Sequence, residues 1–269
     1  MLFGNTESEI SMVQSVHRAV QILRELASGG PRLGVTELAD RLGVAKPTVH
    51  ALLRTLEIEG LVGQDRDSSK YQLGPNLVQL GNAYLDTHEL RTRSLTWSDA
   101  LANRTKEAVW VGVLTGDHVL IVHHAFRPEG AVQILEVGAS IPWNTCALGK
   151  AVVASSPPDV RERLLAGELA VLTGASMTDR KALADQLEEV LKAGYALEDQ
   201  ESAIGDAGIA SPVFDRSGEV AGAIGIVGPV ERMLGESTRR ELAVAVRETA
   251  RNLSRDLGAP RRAAYAPGA

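Results

Sequence analysis

The stretch Val35-Thr-Glu-Leu-Ala-Asp-Arg-Leu-Gly-Val-Ala-Lys-Pro-Thr-Val-His50 decides the fold of the first part of this chain. Thr36 is a favourable N-cap for a first helix, and Gly43 is a favourable residue at which to end it. Pro47 suits the first turn of a second helix, which we expect to run to Gly60. Two helices joined by so short a corner predict a helix-turn-helix.

The predicted second helix has one apolar face and one small, polar and basic face. The side chains that recur at helical spacing and are expected to face the core are Val49, Leu52, Leu53 and Leu56. The opposite face suits the major groove of DNA, where side chains contact base edges and phosphates. A three-helix unit that binds nothing is the alternative, but the order of cap, corner and helix start favours DNA binding. The contacts predicted from this helix are Lys46, Pro47, Thr48, His50, Ala51, Arg54 and Thr55.

A short two-stranded wing is predicted to follow the second helix. Residues 61–64 and 70–73 have the character of short strands, and residues 65–69 form the turn between them. Arg66 and Lys70 flank that turn, where they are placed to contact phosphates or the minor groove. The wing completes a predicted winged helix-turn-helix domain over residues 11–75.

The composition is that of a globular protein with two domains. The 269 residues, 44% apolar and 23% charged, suit one small and one medium domain. We expect no membrane partner and no secretory signal, because no apolar run approaches the roughly 18 residues of a membrane span. Cys146 is the single cysteine, so an internal disulfide is excluded and a cytoplasmic location is expected.

The net charge of −6 does not argue against DNA binding. Residues 11–75 contain 8 basic and 7 acidic side chains, so most of the acidity lies after residue 75. Contact with a DNA groove needs a locally basic face rather than a basic protein. The charge of the whole chain therefore leaves the prediction unchanged.

Periodicity predicts the organisation around this domain. Residues 1–10 and 259–269 are expected to be disordered tails. Residues 15–27 predict an amphipathic helix that precedes the helix-turn-helix. Residues 76–104 predict long linker and dimerisation helices, which bridge two domains and pair with a second copy. The inward side chains of the first helix are expected to be Val16, Val20, Leu23 and Ala27.

Residues 105–258 are predicted to form an α+β domain with an antiparallel sheet. A period of two over residues 108–124 and 207–227 predicts two hairpins. Residues 132–137 predict a further strand. Strands and helices in this order favour a sheet with helices on its faces.

Four helices are predicted around this sheet. Thr178 is a suitable N-cap for a long helix that Gly194 ends. Thr238 and Glu241 have the spacing of a capping box, which predicts the start of the last helix. The two remaining helices are expected over residues 147–155 and 159–166, the second capped by Asp159.

A polar loop that leads into a helix is the strongest candidate for a small-molecule site. Free N–H groups at the start of the helix after Cys146 favour an anion. Asn144 and Thr145 offer side-chain hydrogen bonds, and Trp143 would form a wall. The alternative is an ordinary capped helix with Trp143 in the core.

Other polar residues of the second domain have two interpretations each. The acidic, glycine-bearing loop over residues 198–208 lines a pocket or is simply solvated. His123 and His124 are neighbours on a strand, so they point to opposite faces and cannot chelate one ion; no metal is expected. Cys146 at a helix start is a nucleophile or, the favoured interpretation, a small residue that fits the helix turn.

Several motifs occur together along the chain. Those of the first domain are Ser15-Val-His-Arg-Ala-Val-Gln-Ile-Leu23, Thr36-Glu-Leu-Ala39, Lys46-Pro-Thr-Val-His50 and Tyr71-Gln-Leu-Gly-Pro75. Those of the second domain are Thr145-Cys-Ala-Leu-Gly-Lys150, Gly194-Tyr-Ala196, Ile209-Ala-Ser-Pro-Val-Phe-Asp215 and Gly228-Pro229. In combination they resemble the IclR family of bacterial transcriptional regulators over roughly residues 13–258.

The resemblance implies an N-terminal winged helix-turn-helix and a C-terminal GAF-like effector-binding domain joined by a long linker helix. It also implies a homodimer or homotetramer on double-stranded promoter DNA, with a small-molecule effector and no cofactor. Many members have a His-Ala-Thr-type run at residues 144–146 and serines at Gly225 and Val227, so this pocket is expected to be chemically distinct. Ala51 also replaces a common arginine. The effector residues implied are Asn144, Thr145, Cys146, Ala147, Leu148, Glu198, Asp206, Gly208, Gly225 and Val227, with His123 added as a countercharge.

The function expected from the resemblance is that of a ligand-responsive repressor of a carbon-catabolic operon. A small anionic metabolite such as glycerol 3-phosphate would release it, with its phosphate on the amides of residues 147–149 and Lys150 or His123 as countercharge. A transcriptional activator of the same family is an alternative. A less favoured alternative is an enzyme-like sensor that uses Cys146 with His123.

Overall fold

The computed structural model describes residues 12–28, 30, 32–129 and 133–260. The predicted tail over residues 1–10 and most of the one over 259–269 lie outside this part of the chain. Two compact units divide between Tyr84 and Leu85, and each is described by itself. No helix of the described residues is long and apolar enough to cross a bilayer.

The first unit has the predicted winged helix-turn-helix order. Its small core centres on Ile22, Leu38, Val49 and Leu53, each of which is fully buried. Gly43 ends the second helix in the left-handed region, with φ of 61°, which glycine adopts without strain. The elements are α1 (Gln14–Ser28), α2 (Val35–Leu42), α3 (Lys46–Ile58), β1 (Val62–Gln64) and β2 (Tyr71–Leu73).

The buried face of α1 differs from the predicted one. Ile22 and Leu26 are buried, and of the predicted side chains Leu23 is half-buried against the same core. Val16 and Val20 are instead 61% and 41% exposed, and Ala27 is exposed. The two sets lie on neighbouring stripes of the helix, about 100° apart, so both satisfy the helical spacing. Burial selects the stripe with the larger side chains.

The caps of α2 and α3 also differ from the prediction. Gly34, not Thr36, is the N-cap of α2, and its N–H donates to Oε2 of Glu37 at 2.6 Å. Helix α3 ends at Ile58, two residues before the predicted Gly60. The wing gains a third short segment, because Leu33 exchanges backbone hydrogen bonds with Tyr71 of β2 at 3.0 and 2.8 Å.

The predicted long linker helix is two helices. Helix α4 spans Asn76–Thr87 and α5 spans Glu89–Thr105, separated by His88 in an extended conformation. None of the α4 side chains is buried, whereas α5 buries Leu90 and Leu101 in the core of the second unit. Helix α5 therefore belongs to the second domain, which begins before the predicted boundary at residue 105.

The second unit contains a six-stranded antiparallel sheet in the order β5-β4-β3-β8-β7-β6. The two predicted hairpins are present as β3–β4 and β7–β8. The predicted strand over residues 132–137 is wrong where it can be checked: residues 133–136 are irregular, and Val132 lies outside the described residues. Residues 138–142 instead occupy the free edge of β4. The strands are β3 (Ala108–Thr115), β4 (His118–Ala125), β5 (Ser140–Pro142), β6 (Ala196–Asp199), β7 (Asp206–Phe214) and β8 (Val220–Pro229).

Helices cover both faces of the sheet. Helices α5 and α10 pack on one face around Ile224 and Ile226, and α6 and α8 pack on the other around Val119 and Ile121. These layers confirm the α+β prediction. The helices are α6 (Ala147–Ser155), α7 (Pro158–Ala166), α8 (Arg180–Ala193), α9 (Val230–Met233) and α10 (Glu236–Asp256).

Three predicted N-caps of these helices are wrong. Asp179, rather than Thr178, caps α8 and accepts from the N–H groups of Lys181 and Ala182 at 2.9 Å. Helix α7 begins at Pro158, so Asp159 lies in its first turn. Helix α10 begins at Glu236, which leaves Thr238 inside the helix.

Candidate DNA-contacting face and effector site

The predicted DNA contacts of α3 lie on one exposed face. Residues four apart along a helix share a face, which aligns Lys46 with His50 and Arg54, and Ala51 with Thr55. All of these side chains and Pro47 are exposed, and Thr48 is half-buried. The Thr55 hydroxyl donates to the Ala51 carbonyl at 3.1 Å and keeps its lone pairs free to accept. The face therefore presents donors, acceptors and a methyl group, as direct readout of bases requires.

The cations near this face fall into two groups. Lys46, Arg54 and Arg66 form no ion pair with any described residue. Lys70 Nζ instead lies 3.2 Å from Oε2 of Glu37, so it must leave that carboxylate to contact a phosphate. Arg32, which the sequence analysis did not select, pairs with Asp65 at 2.9 Å and fixes the base of the wing turn.

Five of the predicted effector residues come together on the α6 face of the sheet. Cross-strand pairing aligns Glu198 of β6, Gly208 of β7 and Val227 of β8 in one row. A Cβ built on Gly208 would lie 3.3 Å from the Ala147 Cβ and 3.3 Å from Oε2 of Glu198. Gly225 lies in the next row, between Ala210 and Trp110. Asp206 is exposed at the end of β7.

Asn144 and Thr145 have structural roles that the sequence did not predict. Asn144 Nδ2 donates to the carbonyls of Ala170 and Met177 at 2.9 and 3.2 Å, and Oδ1 accepts from the Ala170 N–H at 3.1 Å. The Thr145 hydroxyl donates to the Pro142 carbonyl at 3.0 Å. Both side chains are buried, so they fix loops instead of offering free groups to a ligand.

Cys146 is the N-cap of α6. Its Sγ accepts from the Gly149 N–H at 3.4 Å. Burial raises the pKa of the Cys146 thiol to about 12, so the group is protonated at neutral pH and is a poor nucleophile. The amides of Ala147 and Leu148, by contrast, find no acceptor in the described part of the chain. They remain available to an anion at the helix start.

Lys150 does not supply the predicted countercharge. Its side chain is fully buried and its ammonium group pairs with the carboxylate of Glu201, which is also buried. The second Glu201 oxygen accepts from the Met177 N–H at 3.4 Å. The pair ties α6 to the loop after β6 and leaves no free charge for a ligand.

A β-bulge places His124, and not the predicted His123, on the α6 face of the sheet. The register between β3 and β4 shifts so that Val111 pairs with His123 and Trp110 pairs with His124, with Val122 as the extra residue. His123 therefore faces α5, where burial, and then the nearby Arg91, lowers its pKa. His124 lies on the α6 face with the predicted effector residues. The prediction that His123 lines the pocket is corrected in favour of His124.

The surroundings of His124 leave two hydrogen-bond donors without partners. His124 Nδ1 accepts from the Glu136 N–H at 3.2 Å, and its ring meets the edge of Trp110 with centroids 6.0 Å apart. His124 Nε2 and Trp110 Nε1 are both buried and bond to no described residue. Each such orphaned group costs about 1–3 kcal/mol, a cost that an acceptor from a bound molecule would remove.

Glu198 is the buried acid of the candidate effector site. Its Oε1 accepts from the N–H groups of Glu201 and Ser202 at 2.6 and 3.1 Å. Burial raises the pKa of Glu198 to about 7, and the nearby Glu201 acts in the same direction. Near neutral pH the carboxyl is divided between its neutral form, which donates, and its ionised form, which accepts from a ligand hydroxyl.

We expect Glu198→Gln to change how stability depends on pH. Because the folded-state pKa of about 7 exceeds the ordinary value of 4.5, the folded protein holds a proton that the unfolded chain has lost between those values. The free energy of unfolding of the parent therefore falls as pH rises through this window, and that of the variant falls less. Urea unfolding at pH 5, 6, 7 and 8 measures the difference; parallel profiles would contradict the assignment.

Comparison with known proteins identifies the family of both domains. The model for the IclR helix-turn-helix domain matches residues 15–66, and the model for the bacterial transcriptional regulator IclR C-terminal domain matches residues 82–255. Two glycerol operon regulatory proteins, from Streptomyces griseus and Streptomyces coelicolor, are each 46% identical over 250 residues, which is 93% of this chain and 98% of theirs.

Solved structures agree with the fold over nearly the whole chain. A regulator of this family from Alicyclobacillus acidocaldarius is 30% identical, with a TM-score of 0.78, over 91% of this chain and 98% of its own. One from Brucella abortus has a TM-score of 0.80 at 25% identity over 95% and 96%. The chain belongs to the IclR family of bacterial transcriptional regulators, with an N-terminal helix-turn-helix domain and a C-terminal effector-type domain.

Proposed function

We propose that the protein is a repressor of a glycerol-utilisation operon that a small anionic metabolite releases from its operator. The observation that carries the proposal is the 46% identity to two glycerol operon regulatory proteins over 93% of this chain. The free cations and exposed polar side chains on α3 support the DNA-binding half of the proposal. Both of these relatives are named as regulators, which favours a regulatory function over an enzymatic one.

DNA recognition is assigned to α3 and the wing. His50, Ala51, Arg54 and Thr55 contact base edges in the major groove, with the Ala51 methyl suited to a thymine methyl. Lys46 and Arg66 contact phosphates, and Lys70 joins them when it exchanges Glu37 for a phosphate. Two copies place their α3 helices in half-sites roughly 34–36 Å apart, which requires a partly palindromic operator.

Effector binding is assigned to the α6 face of the sheet. The free amides of Ala147 and Leu148 suit an oxyanion, and Glu198 suits a ligand hydroxyl. Because Lys150 is committed to Glu201, the anion is held by neutral donors rather than by a buried cation. Glycerol 3-phosphate has both an oxyanion and hydroxyls, and it is the effector we propose.

A gel shift tests the proposal. The full-length protein is mixed at fixed salt with its own upstream region, a glycerol-utilisation promoter and a scrambled fragment, with and without glycerol 3-phosphate. We expect a shift of one or both promoter fragments, absent with the scrambled one, that glycerol 3-phosphate abolishes. A shift that ignores glycerol 3-phosphate would reject this effector, and no preference for either promoter would reject the regulon.

Arg54→Ala is expected to weaken operator binding by about 1–3 kcal/mol if the guanidinium contacts a guanine. The side chain is exposed on α3, so its removal leaves the domain core intact. Fluorescence anisotropy with labelled operator measures the dissociation constant. Arg24→Ala on the exposed side of α1 is the matched control, and equal constants for both variants would show that the base-contacting face is misassigned.

A further inference from the structure

We infer that Trp110 Nε1 and His124 Nε2 form a paired donor site that binds an oxyanion of the effector. The inference rests on the proposed function in that it assumes a small ligand on the α6 face of the sheet. It adds two ligand-contacting residues, neither of which belongs to the motifs of the resemblance. The oxyanion is a phosphate ester or a carboxylate, and the two donors hold it together with the free amides of Ala147 and Leu148.

The two donor side chains are neighbours on adjacent strands. Trp110 and His124 are paired across β3 and β4, on the same face of the sheet as Gly225 and Val227. Their rings are in edge-to-face contact, with centroids 6.0 Å apart. Because the neighbour of Trp110 on β8 is Gly225, no side chain lies directly opposite the indole on that strand. The donors therefore lie beside the residues that the family resemblance implies for the effector.

The hydrogen bonds of His124 determine which nitrogen carries the proton. Nδ1 accepts from the Glu136 N–H at 3.2 Å, so in the neutral ring the proton is on Nε2. Burial and the neighbouring His123 lower the pKa of His124, which keeps the ring neutral at physiological pH. Nε2 is therefore a donor, as Trp110 Nε1 always is.

Both donors lack acceptors in the described part of the chain, which points to a ligand. The His124 side chain is 7% exposed, and neither Nε2 nor Trp110 Nε1 reaches an oxygen of any described residue. Buried donors that make no bond in the free protein gain most from an acceptor supplied by a ligand. Phe126 lies against His124 in a tilted arrangement, with ring centroids 4.5 Å apart, and is 46% exposed, so this ring is where we expect a ligand to reach the pair.

Neutral donors select an oxyanion of a small ligand. Two N–H donors on neighbouring strands and on the same face of the sheet match two oxygens of a phosphate or carboxylate, and hydrogen bonds to a charged acceptor are the stronger ones. With Lys150 paired to Glu201, no buried cation competes for this role on α6. Glycerol itself, which has no oxyanion, is expected to bind far more weakly.

The test observes the indole N–H of Trp110 directly. Full-length protein labelled with ¹⁵N-tryptophan has three indole signals, from Trp97, Trp110 and Trp143. Glycerol 3-phosphate, inorganic phosphate and glycerol are titrated separately. We expect glycerol 3-phosphate to shift the Trp110 signal saturably and leave that of Trp97, which donates to Asp256 at 2.7 Å. Glycerol at the same concentration is expected to shift neither.

Four variants separate the donors from the packing of their rings. Trp110→Phe and His124→Asn each remove one donor, and the asparagine oxygen retains the bond from the Glu136 N–H. Each is expected to weaken binding of glycerol 3-phosphate about tenfold or more in calorimetry. His124→Gln, whose amide nitrogen replaces Nε2, should recover most of the affinity. His123→Asn, on the opposite face, should not change it.

The outcomes separate this inference from the proposed function. Release of the operator by glycerol 3-phosphate with an unmoved Trp110 signal and unchanged affinity in both donor variants overturns the inference and leaves the repressor proposal intact. A shifted Trp110 signal in a protein with no specific operator supports the inference and rejects the repressor proposal. Operator binding with no response of Trp110 or of the complex to any of the three probes overturns the inference and the effector assignment together.

Discussion

Lys150→Met lowers the free energy of unfolding of the second domain by about 3–5 kcal/mol, the largest effect that we expect from one side chain. Lys150 is fully buried and pairs with Glu201, which is 6% exposed. Methionine fills nearly the same volume but leaves the Glu201 carboxylate buried without a countercharge, next to Glu198. All three tryptophans lie in the second domain, so urea unfolding followed by their fluorescence reports on this domain.

Two further variants make the Lys150 result specific. Adding Glu201→Gln to Lys150→Met removes the unpaired charge and should recover a large part of the loss, since glutamine still accepts from the Met177 N–H. Arg216→Met breaks an exposed pair with Glu89, 3.1 Å apart, and should change stability by less than about 1 kcal/mol. A loss below about 1 kcal/mol for Lys150→Met would contradict the buried pair.

Gly149→Ala is expected to destabilise the second domain by about 3 kcal/mol, at the upper end for an overpacked site. A Cβ on Gly149 would lie 2.2 Å from the Trp143 carbonyl oxygen and 2.6 Å from its Cα. These are buried backbone atoms, so α6 must move away from the turn that Trp143 begins. The gain in helix propensity from alanine, about 1 kcal/mol, does not offset this clash.

The control for Gly149→Ala is Gly174→Ala in the same domain. A Cβ on Gly174 meets no atom within 4 Å, and its φ is outside the left-handed region. We expect its free energy of unfolding, measured in urea, to stay within a few tenths of a kcal/mol of that of the parent. If Gly149→Ala behaves like Gly174→Ala, the close contact between α6 and residue 143 is not present in solution.

The DNA-binding domain follows from the sequence because its signals are local. Gly43 and Pro47 mark the corner and the start of α3, and the apolar spacing of Val49 and Leu53 fixes the buried side of that helix. The buried face of α1, the preceding helix, is harder to predict, because Val16 and Ile22 lie on adjacent apolar stripes of that helix. Which stripe is buried depends on contacts with the rest of the domain.

The candidate effector site can be predicted from the sequence only in part, because its details depend on long-range contacts. Ala147, Glu198 and Gly208 meet as the family resemblance implied. The exchange of His123 for His124 results from a bulge between β3 and β4, which alternation along one strand does not predict. The pairing of Lys150 with a residue 51 positions away, and of Asn144 with a loop 26 positions away, depends on the folded chain.

The central claim is that one ligand controls the affinity for operator DNA, and linkage gives its most direct test. The dissociation constant of glycerol 3-phosphate is measured by calorimetry on the full-length protein alone and on the protein saturated with operator, at the same salt concentration. Coupling is reciprocal, so a ligand that releases the operator must bind the DNA complex more weakly by the same factor, typically about 5–150-fold. The account predicts such a difference. Equal constants for the free and operator-bound protein would contradict it.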